Sequence, residues 1–522
     1  MERVPFMTIN DVRLSAAIQA GAIQAGPVGV GPVGVGMVDA GAPLAVSEVG
    51  ARKTIAIIGG GFSGAAVAYN LSGHPDIAFQ TDIVIFEPRA EIGRGLAYDT
   101  ADPAHRINVP AARMSLRPDA PEHFSAWLAR TDAAADDVAA ERPDGSLFPR
   151  RGVFGAYVAD SLKPYLESGA VRHIRAAVTA VRRAPGGWEI EDSAGGRWSA
   201  ALVVIATTHP PPAPPRALVD ALGPHPRFIS DPTQPQALAA IRPDDDVLVV
   251  GNGLTSADVI ASLAASGHRG RILSVSRRGL RSRGHAPFPQ EPFGDLLSPP
   301  PLSARDLVKR IRDAIRAASA EGLTWHAVID QVRTQAADVW PNLPVAERRR
   351  IVRHLRVFWD VHRFRIAPQV EEALDAAIAA GRLEIVAGSV RKAAIEDDRI
   401  RVSVTRKGSA DPVEPLFDAV IVTTGPAHGG ILDSQAWLRD LHAAGHLHLD
   451  PTGLGIDCDA QSQALNPEGV PDDSLLISGP LARGRFGELM GLPQVSEHAR
   501  LVAARAAETL RTQSHAGEIA AR

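Results

Sequence analysis

Apolar residues recur along the chain in an order that predicts two strand–helix–strand units. The elements of these units are predicted at 54–58, 65–71 and 82–86, and again at 246–250, 256–266 and 271–275. Each strand is a short run rich in β-branched residues and bounded by polar residues or glycines, which is typical of buried parallel strands. Parallel strands joined through a helix form a right-handed βαβ unit. The pattern therefore predicts an α/β fold with parallel sheets.

Each unit is followed by further strand-like segments. Alternating and apolar segments lie at 171–181, 188–192 and 201–205 after the first unit, and at 383–390, 399–406 and 419–424 after the second. This repeated order predicts two Rossmann-like dinucleotide-binding domains. A helical insertion is predicted at about 303–380. Its clearest helix begins near Pro344 and places Ile351, Leu355, Phe358 and Trp359 on one face.

The first predicted strand ends in the motif Gly59-x-Gly61-x-x-Gly64, with Phe62 and Ser63 between the last two glycines. In such a motif the first glycine allows a tight turn, and the second lets the backbone approach a pyrophosphate. The third lets helix and strand pack closely, while the helix N-terminus offers amide hydrogens to the phosphates. Glu87 ends the next strand, where a carboxylate can accept hydrogen bonds from ribose hydroxyls. This context favours a dinucleotide site over an ordinary glycine turn.

The second unit carries Gly251-x-Gly253-x-x-Ser256, a looser form of the same motif. Its next strand ends in Arg277 and Arg278 rather than in an acid. Arginine at that place can bind a 2′-phosphate, which favours NADPH and leaves NADH possible. The alternative is a solvated basic loop, because arginines continue at 281 and 283.

Composition and charge exclude several classes of protein. The 522 residues have a net charge of −4, which gives no field that would recruit nucleic acid. No run approaches the roughly 20 apolar residues needed to cross a bilayer. Cys458 is the single cysteine, so an internal disulfide and a Cys-x-x-Cys redox pair are both excluded. A cytoplasmic location is expected. No histidine–carboxylate spacing suggests a metal site, and no catalytic acid or base stands out.

Longer segments extend these motifs: IAIIGGGFSGAAVAYNL, EIGRGLAYDTADPAHRINVPAARMS, VLVVGNGLTSADVIASL, VSRRGL, FWDVHRFRIAPQV and GPLARGRFGELMGLPQVSEHAR. With them the chain resembles a bacterial FAD/NAD(P)-binding protein family related to FAD-dependent urate hydroxylase and to nitrosuccinate-forming aspartate N-monooxygenase. The resemblance covers about 54–502. It implies FAD in the first site, NADPH in the second, and a monooxygenase that hydroxylates a small nitrogen-containing substrate. The alternatives are a flavin reductase with a non-oxygen acceptor and a non-enzymatic FAD-binding protein. Oligomeric state is not indicated.

Three further candidates follow from the resemblance. Arg94, between two glycines, is a charge partner for the FAD diphosphate or part of a mobile turn. Asn108 either hydrogen-bonds a flavin carbonyl or caps a turn. Gly479 stands where many flavoproteins have Gly-Asp, so its backbone amide would replace the usual carboxylate.

The run His362–Arg365 is either a substrate or nicotinamide contact or, more commonly, favourable charge at a helix C-terminus. It ends the amphipathic helix of the predicted insertion.

The domain boundaries expected from these features are a disordered leader over 1–50, a first part of the FAD-binding domain over 51–240, an NAD(P)-binding domain over 243–425, and a return to the FAD-binding domain over 426–522. The leader is rich in Gly, Ala, Val and Pro, which opposes both helix and strand. The proline-rich run 210–215 is extended chain that suits a crossing between domains.

Overall fold

The computed structural model describes residues 52–74, 77, 81–425 and 428–520, so the predicted leader lies outside the described residues. The strands are β1 (Lys53–Ile58), β2 (Thr81–Phe86), β3 (Val171–Ile174), β4 (Val178–Ala184), β5 (Gly187–Asp192), β6 (Arg197–Ala200), β7 (Leu202–Ile205), β8 (Phe228–Ile229), β9 (Val247–Val250), β10 (Ile272–Ser276), β11 (Leu383–Glu396), β12 (Arg399–Arg406), β13 (Leu416–Phe417), β14 (Ala419–Val422), β15 (Gln463–Leu465) and β16 (Pro471–Ile477).

The helices are α1 (Phe62–Ser72), α2 (Gly95–Tyr98), α3 (His123–Thr131), α4 (Arg151–Glu167), α5 (Arg216–Leu222), α6 (Leu254–Ala265), α7 (Ala304–Ala320), α8 (Trp325–Thr334), α9 (Ala336–Asn342), α10 (Val345–His354), α11 (Arg356–Arg363), α12 (Pro368–Ala379), α13 (Ala436–Ala443), α14 (Arg483–Phe486) and α15 (Gln494–Ala520). They surround two mainly parallel sheets, which confirms the predicted α/β class.

The first sheet has the strand order β15-β16-β7-β1-β2-β3, in which only the β15–β16 pair is antiparallel. Its central strand is apolar on both faces because each face is covered. Ile55 and Ile57 belong to the core that α1 and α15 cover, whereas Ala56 and Ile58 belong to the core on the opposite face. The chain leaves β1 at Gly59, between β2 and β7. This is the point where strand order reverses and where α/β sheets bind ligands.

The second sheet repeats this plan in the order β13-β12-β11-β10-β9-β14-β8, and Gly251 follows β9, the middle strand of its parallel part. Its edge strand β8 pairs with β14. Residues before 240 therefore already belong to the second sheet, which corrects the expected boundary at 243. β15 and β16 belong to the first sheet and return the chain to it. A small antiparallel sheet, β4-β5-β6, follows β3.

Helices α7 to α12 form the insertion between β10 and β11. The prediction of one continuous amphipathic helix from Pro344 is wrong in one respect, because the segment forms two helices. α10 ends at His354, Leu355 has φ −112° and ψ −20°, and α11 begins at Arg356. The predicted apolar face is split as well. Ile351 and Trp359 pack against the small core of the insertion, whereas Phe358 is 40% exposed.

Candidate functional site

A cavity of about 1160 Å³ lies at the carboxyl end of β1. Six of the predicted residues line it: Gly59, Gly61, Phe62, Ser63, Glu87 and Arg94. Residues that follow β7 and the segment 232–243 form other parts of its wall. The cavity is therefore open to the first glycine turn and large enough for a substantial ligand.

The first turn needs glycine at two positions for different reasons. Gly59 has φ +103°, and a Cβ on it would lie 2.6 Å from the carbonyl oxygen of Ala206. A Cβ on Gly64 would lie 1.9 Å from the carbonyl oxygen of Gly59, so only glycine lets α1 pack against the turn. Gly61 is different, because the nearest atom to its Cβ would be Gly95 Cα at 3.5 Å. Its missing side chain leaves space on the cavity side.

Helix α1 begins at the cavity with its backbone amides uncapped by a side chain. Its N-cap is Gly61, which has no side chain to accept hydrogen bonds from the first turn. The amides of the first turn and the positive end of the helix dipole are therefore available to an anion. This arrangement fits the diphosphate of a dinucleotide.

Glu87 lies beside the turn and is 4% exposed. Its carboxylate accepts hydrogen bonds from the amides of Gly60 and Arg89, each at 3.0 Å. Oε1 also accepts from the Arg89 guanidinium at 3.3 Å, whereas Oε2, within the described residues, accepts only from Gly60 and keeps a lone pair, so Glu87 can also accept a hydrogen bond from a ribose hydroxyl on the cavity side.

Arg94 stands at the start of α2, in a loop that closes on the glycine turn. Gly95 has φ +53°, and a Cβ on it would lie 2.9 Å from Gly61 Cα. The guanidinium of Arg94 forms an ion pair with Glu91 and donates to the carbonyl oxygen of Gly152 at 3.4 Å. Arg94 therefore lines the cavity, and its positive charge is already partly paired with Glu91.

Gly479 joins the closing strand to the first turn. It has φ +69°, and a Cβ on it would lie 2.2 Å from Ser63 Oγ. Its amide donates to Nδ1 of His498 on α15 at 3.2 Å, and Nε2 of the same ring lies 2.7 Å from Ser462 Oγ. Burial lowers the pKa of His498 to about 3. The imidazole is therefore neutral, with Nδ1 as acceptor and Nε2 as donor. Nothing in the local sequence around His498 predicts this role.

Asn108 and Gly64 are not among the residues that line the cavity. The Asn108 side-chain oxygen accepts a hydrogen bond from the Ala367 amide at 3.3 Å, and its backbone oxygen lies 3.0 Å from Nε2 of His285. Asn108 therefore holds the insertion against the first domain at the start of α12.

The second turn has the same backbone design and little enclosed space. Gly251 has φ +125°, and a Cβ on it would lie 2.6 Å from the carbonyl oxygen of Thr423. Gly253 is the N-cap of α6, and Ser256 is buried with its Oγ 3.5 Å from Ser274 Oγ. Gly253 and Ser256 line a cleft of only 10 Å³. A nucleotide here would lie on an open surface.

Arg277 and Arg278 directly follow β10 and are both exposed, yet their surroundings differ. The guanidinium of Arg278 lies 4.7 Å from the ring centroid of Phe358 on α11. Within the described residues, Arg277 makes no hydrogen bond, ion pair or ring contact. The next arginine, Arg281, is paired with Asp375 at 2.6 Å.

A bridge joins the two nucleotide-binding units beside the cavity. Arg151 on α4 donates to both carboxylate oxygens of Asp258 on α6, at 2.8 and 3.0 Å. Both side chains line the cavity. Nearby, Nε2 of His105 lies 3.3 Å from Ser262 Oγ.

Five charged side chains meet between α11 and the segment that follows β16. We call Arg356, Asp360, Arg363, Arg483 and Glu488 the charge cluster. Arg363 pairs with Glu488 at 2.5 Å, and Asp360 lies 3.6 Å from Arg483 and 3.3 Å from Arg356. Arg363, Arg483 and Glu488 are each less than 10% exposed. His362 and Arg363 lie in the last turn of α11, as the explanation by charge at a helix C-terminus expects, and Arg363 in addition forms the buried ion pair with Glu488. In the sequence, the charged residues inside the otherwise small and apolar closing segment are the feature that could have indicated this cluster.

Residues 56–210 match the model of a family described as FAD-NAD(P)-binding. No curated protein sequence matches the chain. Among solved structures, the ornithine N-hydroxylase KtzI of Kutzneria sp. 744 is 15% identical with a TM-score of 0.60, over 90% of this chain and 100% of that one. The L-lysine 6-monooxygenase of Pseudomonas syringae is 18% identical with a TM-score of 0.58, over 88% and 99%.

The cadaverine monooxygenase DfoA of Erwinia amylovora, solved with FAD bound, is 11% identical with a TM-score of 0.58, over 88% of this chain and 94% of that one. None of the helices in the described ranges has the length and apolar character needed to span a bilayer. The chain thus contains an FAD/NAD(P)-binding domain at 56–210 and has the overall fold of flavin-dependent N-hydroxylating monooxygenases.

Proposed function

We propose that the protein is an FAD- and NADPH-dependent monooxygenase that hydroxylates the nitrogen of a small molecule. The reaction consumes an amine, O₂, NADPH and a proton, and it releases a hydroxylamine, NADP⁺ and water. The observation that carries the proposal is the pair of glycine turns, each at the reversal point of a parallel sheet, in a chain with the fold of N-hydroxylating enzymes. Bound FAD would supply hydride acceptance and oxygen activation.

The residues of the chain would bind, orient and shield the cofactors. Gly61 and the amides at the start of α1 would receive the FAD diphosphate, and Glu87 the ribose hydroxyls. Gly479, held by His498 and packed on Ser63, would fix the backbone near the ribityl chain. Gly251, Gly253 and Ser256 would receive the NADPH diphosphate, and Arg277 the 2′-phosphate. Hydroxylation at nitrogen requires no nucleophilic side chain, so no catalytic acid or base is assigned.

Rapid mixing tests the proposal. The purified holoenzyme is mixed with NADPH without oxygen, and flavin absorbance is followed. We expect the flavin to be bleached, oxygen to restore the oxidised spectrum, and a suitable amine to yield one hydroxylamine per NADPH consumed. Failure of NADPH to bleach the flavin would refute both this function and the reductase alternative. Bleaching followed by reoxidation that yields only hydrogen peroxide, across amino acids, diamines and purines, would favour the reductase.

Three finer expectations belong to the same proposal. A closer relationship to urate hydroxylase and to aspartate N-monooxygenase rests on the sequence segments, since the solved structures described above act on ornithine, lysine and cadaverine. The cytoplasmic location likewise remains a prediction from the single cysteine. The domain ranges predicted from the sequence are kept in this proposal, except that the second domain begins before β8.

A further inference from the structure

The cavity at the first glycine turn extends along one face of α6. The positions of α6 and its C-cap that line it follow the i, i+3, i+4 spacing of a single helix face: Thr255, Asp258, Val259, Ser262, Leu263 and Ser266. At 1.5 Å per residue, this face is about 16 Å long. α6 begins at the second glycine turn and runs antiparallel to β9, so its far end lies at the opposite edge of the second sheet. His268 also lines the cavity, and its Nε2 lies 2.8 Å from the carbonyl oxygen of Asp245, shortly before β9. The cavity therefore continues away from the edge at which NADPH is expected.

The other wall of this part of the cavity is the segment 232–243, which connects β8 to β9 and forms neither helix nor strand. Most of its residues line the cavity. Leu238 and Ile241 in this segment are partly buried against the core cluster to which Val259 and Leu263 of α6 belong. We call the part of the cavity that is lined by α6 and by 232–243 the distal lobe. Both of its walls belong to the second unit, whereas the first glycine turn belongs to the first sheet.

The two charged residues among those that line the distal lobe from these walls, Asp258 and Arg242, are already paired. Arg151 donates to both carboxylate oxygens of Asp258, and Arg242 donates to Asp245 at 2.8 Å. Both ring nitrogens of His105, which also lines the cavity, lie within 3.3 Å of a hydroxyl oxygen. A charged ligand would lose its hydration here without gaining an unpaired partner, whereas an uncharged one would gain from contact with the apolar side chains.

We propose that the distal lobe binds a second small molecule, uncharged and largely apolar, while FAD occupies the first glycine turn. The whole cavity, about 1160 Å³, exceeds the roughly 300–1,000 Å³ of a pocket for one small molecule. Apolar walls with a few polar groups are typical of ligand pockets, and Ser262 with His105 could contact a single hydroxyl or carbonyl group. The inference goes beyond the function proposed above. A molecule in the lobe would lie away from the edge at which hydride transfer takes place, so it is neither a cofactor nor the hydroxylated substrate.

The probe is 2-naphthol, an uncharged molecule of two fused rings with one hydroxyl group, and binding to the oxidised holoenzyme is measured by titration calorimetry. We expect one saturable site per chain with a negative heat capacity change, because apolar surface is buried on binding. The flavin absorbance should remain that of bound FAD. 2-Naphthoate has the same rings and a negative charge, and it should bind at least about 10-fold more weakly.

Leu238→Glu places a charge in the apolar wall and should weaken 2-naphthol binding about 10- to 100-fold, the range for loss of one apolar side-chain contact. Ala240→Glu is the matched control, because Ala240 lies in the same segment, is exposed and is not among the residues that line the cavity. Ser266→Trp adds bulk at the end of α6 and should also weaken binding. Its control is Ala264→Trp, at an exposed position of the same helix outside the lining, which should leave binding unchanged. Thermal unfolding shows which variants are folded, and the second pair tests the lobe if Leu238→Glu is not.

Three results would overturn the proposal: no saturable heat in wild type, equal affinity for 2-naphthol and 2-naphthoate, or unchanged 2-naphthol binding in the folded lobe variants. So would release of FAD by 2-naphthol, since the lobe would then be part of the FAD site. Binding of 2-naphthol does not depend on the proposed reaction, whose failure appears separately as wild-type flavin that NADPH does not bleach.

Discussion

Gly61 and Gly64 belong to the same turn but are constrained by different neighbours. A Cβ on Gly64 would overlap the Gly59 carbonyl, whereas a Cβ on Gly61 would meet only ordinary contacts within the protein. We expect Gly64→Ala to lower the free energy of unfolding by about 1–3 kcal/mol, as overpacking does. Gly61→Ala should leave it within about 0.5 kcal/mol and weaken FAD binding, because the methyl group occupies the path of the diphosphate.

Urea denaturation of the apo protein and titration with FAD measure the two effects separately. Equal loss of stability in both variants would contradict the distinction. Unchanged FAD affinity in Gly61→Ala would argue that the diphosphate does not bind at this turn.

Arg277 and Arg278 were predicted together as partners of a 2′-phosphate, and the structure separates them. Arg278 is already placed over Phe358, whereas Arg277 has no contact among the described side chains. We expect Arg277→Ala to raise the KM for NADPH about 10-fold or more, from loss of one charge-assisted contact, with little change for NADH. Arg278→Ala should change both cofactors by less than threefold, a bound set by the weak energy of an exposed cation–π contact. Steady-state kinetics with both nucleotides decide this, and the reverse order of effects would assign the phosphate to Arg278.

Residues that act through backbone geometry were predictable from the sequence, and residues that act through tertiary contacts were not. Glycine is required at 59, 64 and 251 for local reasons, since a positive φ or a helix–strand contact depends on residues only a few positions apart in the sequence. Arg363 and Glu488 are 125 positions apart and meet only after the insertion folds against the closing segment. The hydrophobic periodicity of neither segment indicates this contact.

Among the elements, the insertion shows where the hydrophobic pattern misleads. The spacing of Ile351, Leu355, Phe358 and Trp359 suits one long helix, yet the regular helix is interrupted at Leu355. After this interruption, α11 places Phe358 against Arg278, and Asp360 and Arg363 against the closing segment. Apolar spacing shows only that residues share one face of a helix. An aromatic residue on that face can contact an arginine instead of packing in the core, and the spacing is the same in both cases.

The closing strand depends on α15 through His498. In the folded protein the pKa of this histidine is lowered by burial to about 3, against 6.5 for an unperturbed histidine. The unfolded chain therefore binds a proton that the folded chain does not, between these two values. Stability due to this group is complete above pH 6.5 and declines as pH falls toward 3, at about 1.4 kcal/mol per pH unit.

Glutamine can accept the hydrogen bond from the Gly479 amide without titrating. We expect His498→Gln to be less stable than wild type at pH 7 but to lose stability less steeply between pH 6 and 4. Denaturant unfolding at several pH values gives the two slopes. The comparison between variants is needed because burial also lowers the pKa of His209 and of His285, each to about 4. Parallel slopes would show that His498 is protonated in the native state.

In the whole molecule, the two nucleotide-binding units must hold their cofactors in a fixed relation for hydride transfer, and Arg151 and Asp258 join them directly. The bond is bidentate and largely buried, with side-chain exposures of 16% and 11%. It connects α4 of the first unit to α6, the helix that begins at the second glycine turn. A rigid link at this place would restrict the paths by which NADPH can approach the flavin.

Asp258→Asn should therefore lower the free energy of unfolding by about 2 kcal/mol, since Arg151 keeps its charge and loses its partner. It should also slow flavin reduction at saturating NADPH. Asp375→Asn is the matched control, because it breaks the more exposed Arg281–Asp375 pair, where Asp375 is 55% exposed, and should cost less than about 0.5 kcal/mol. Denaturation and anaerobic rapid mixing provide both measurements. A loss of stability with an unchanged reduction rate would make the bridge a purely structural contact, and the relation between the cofactors would then have to be held by the insertion, through contacts such as those of Asn108 with Ala367.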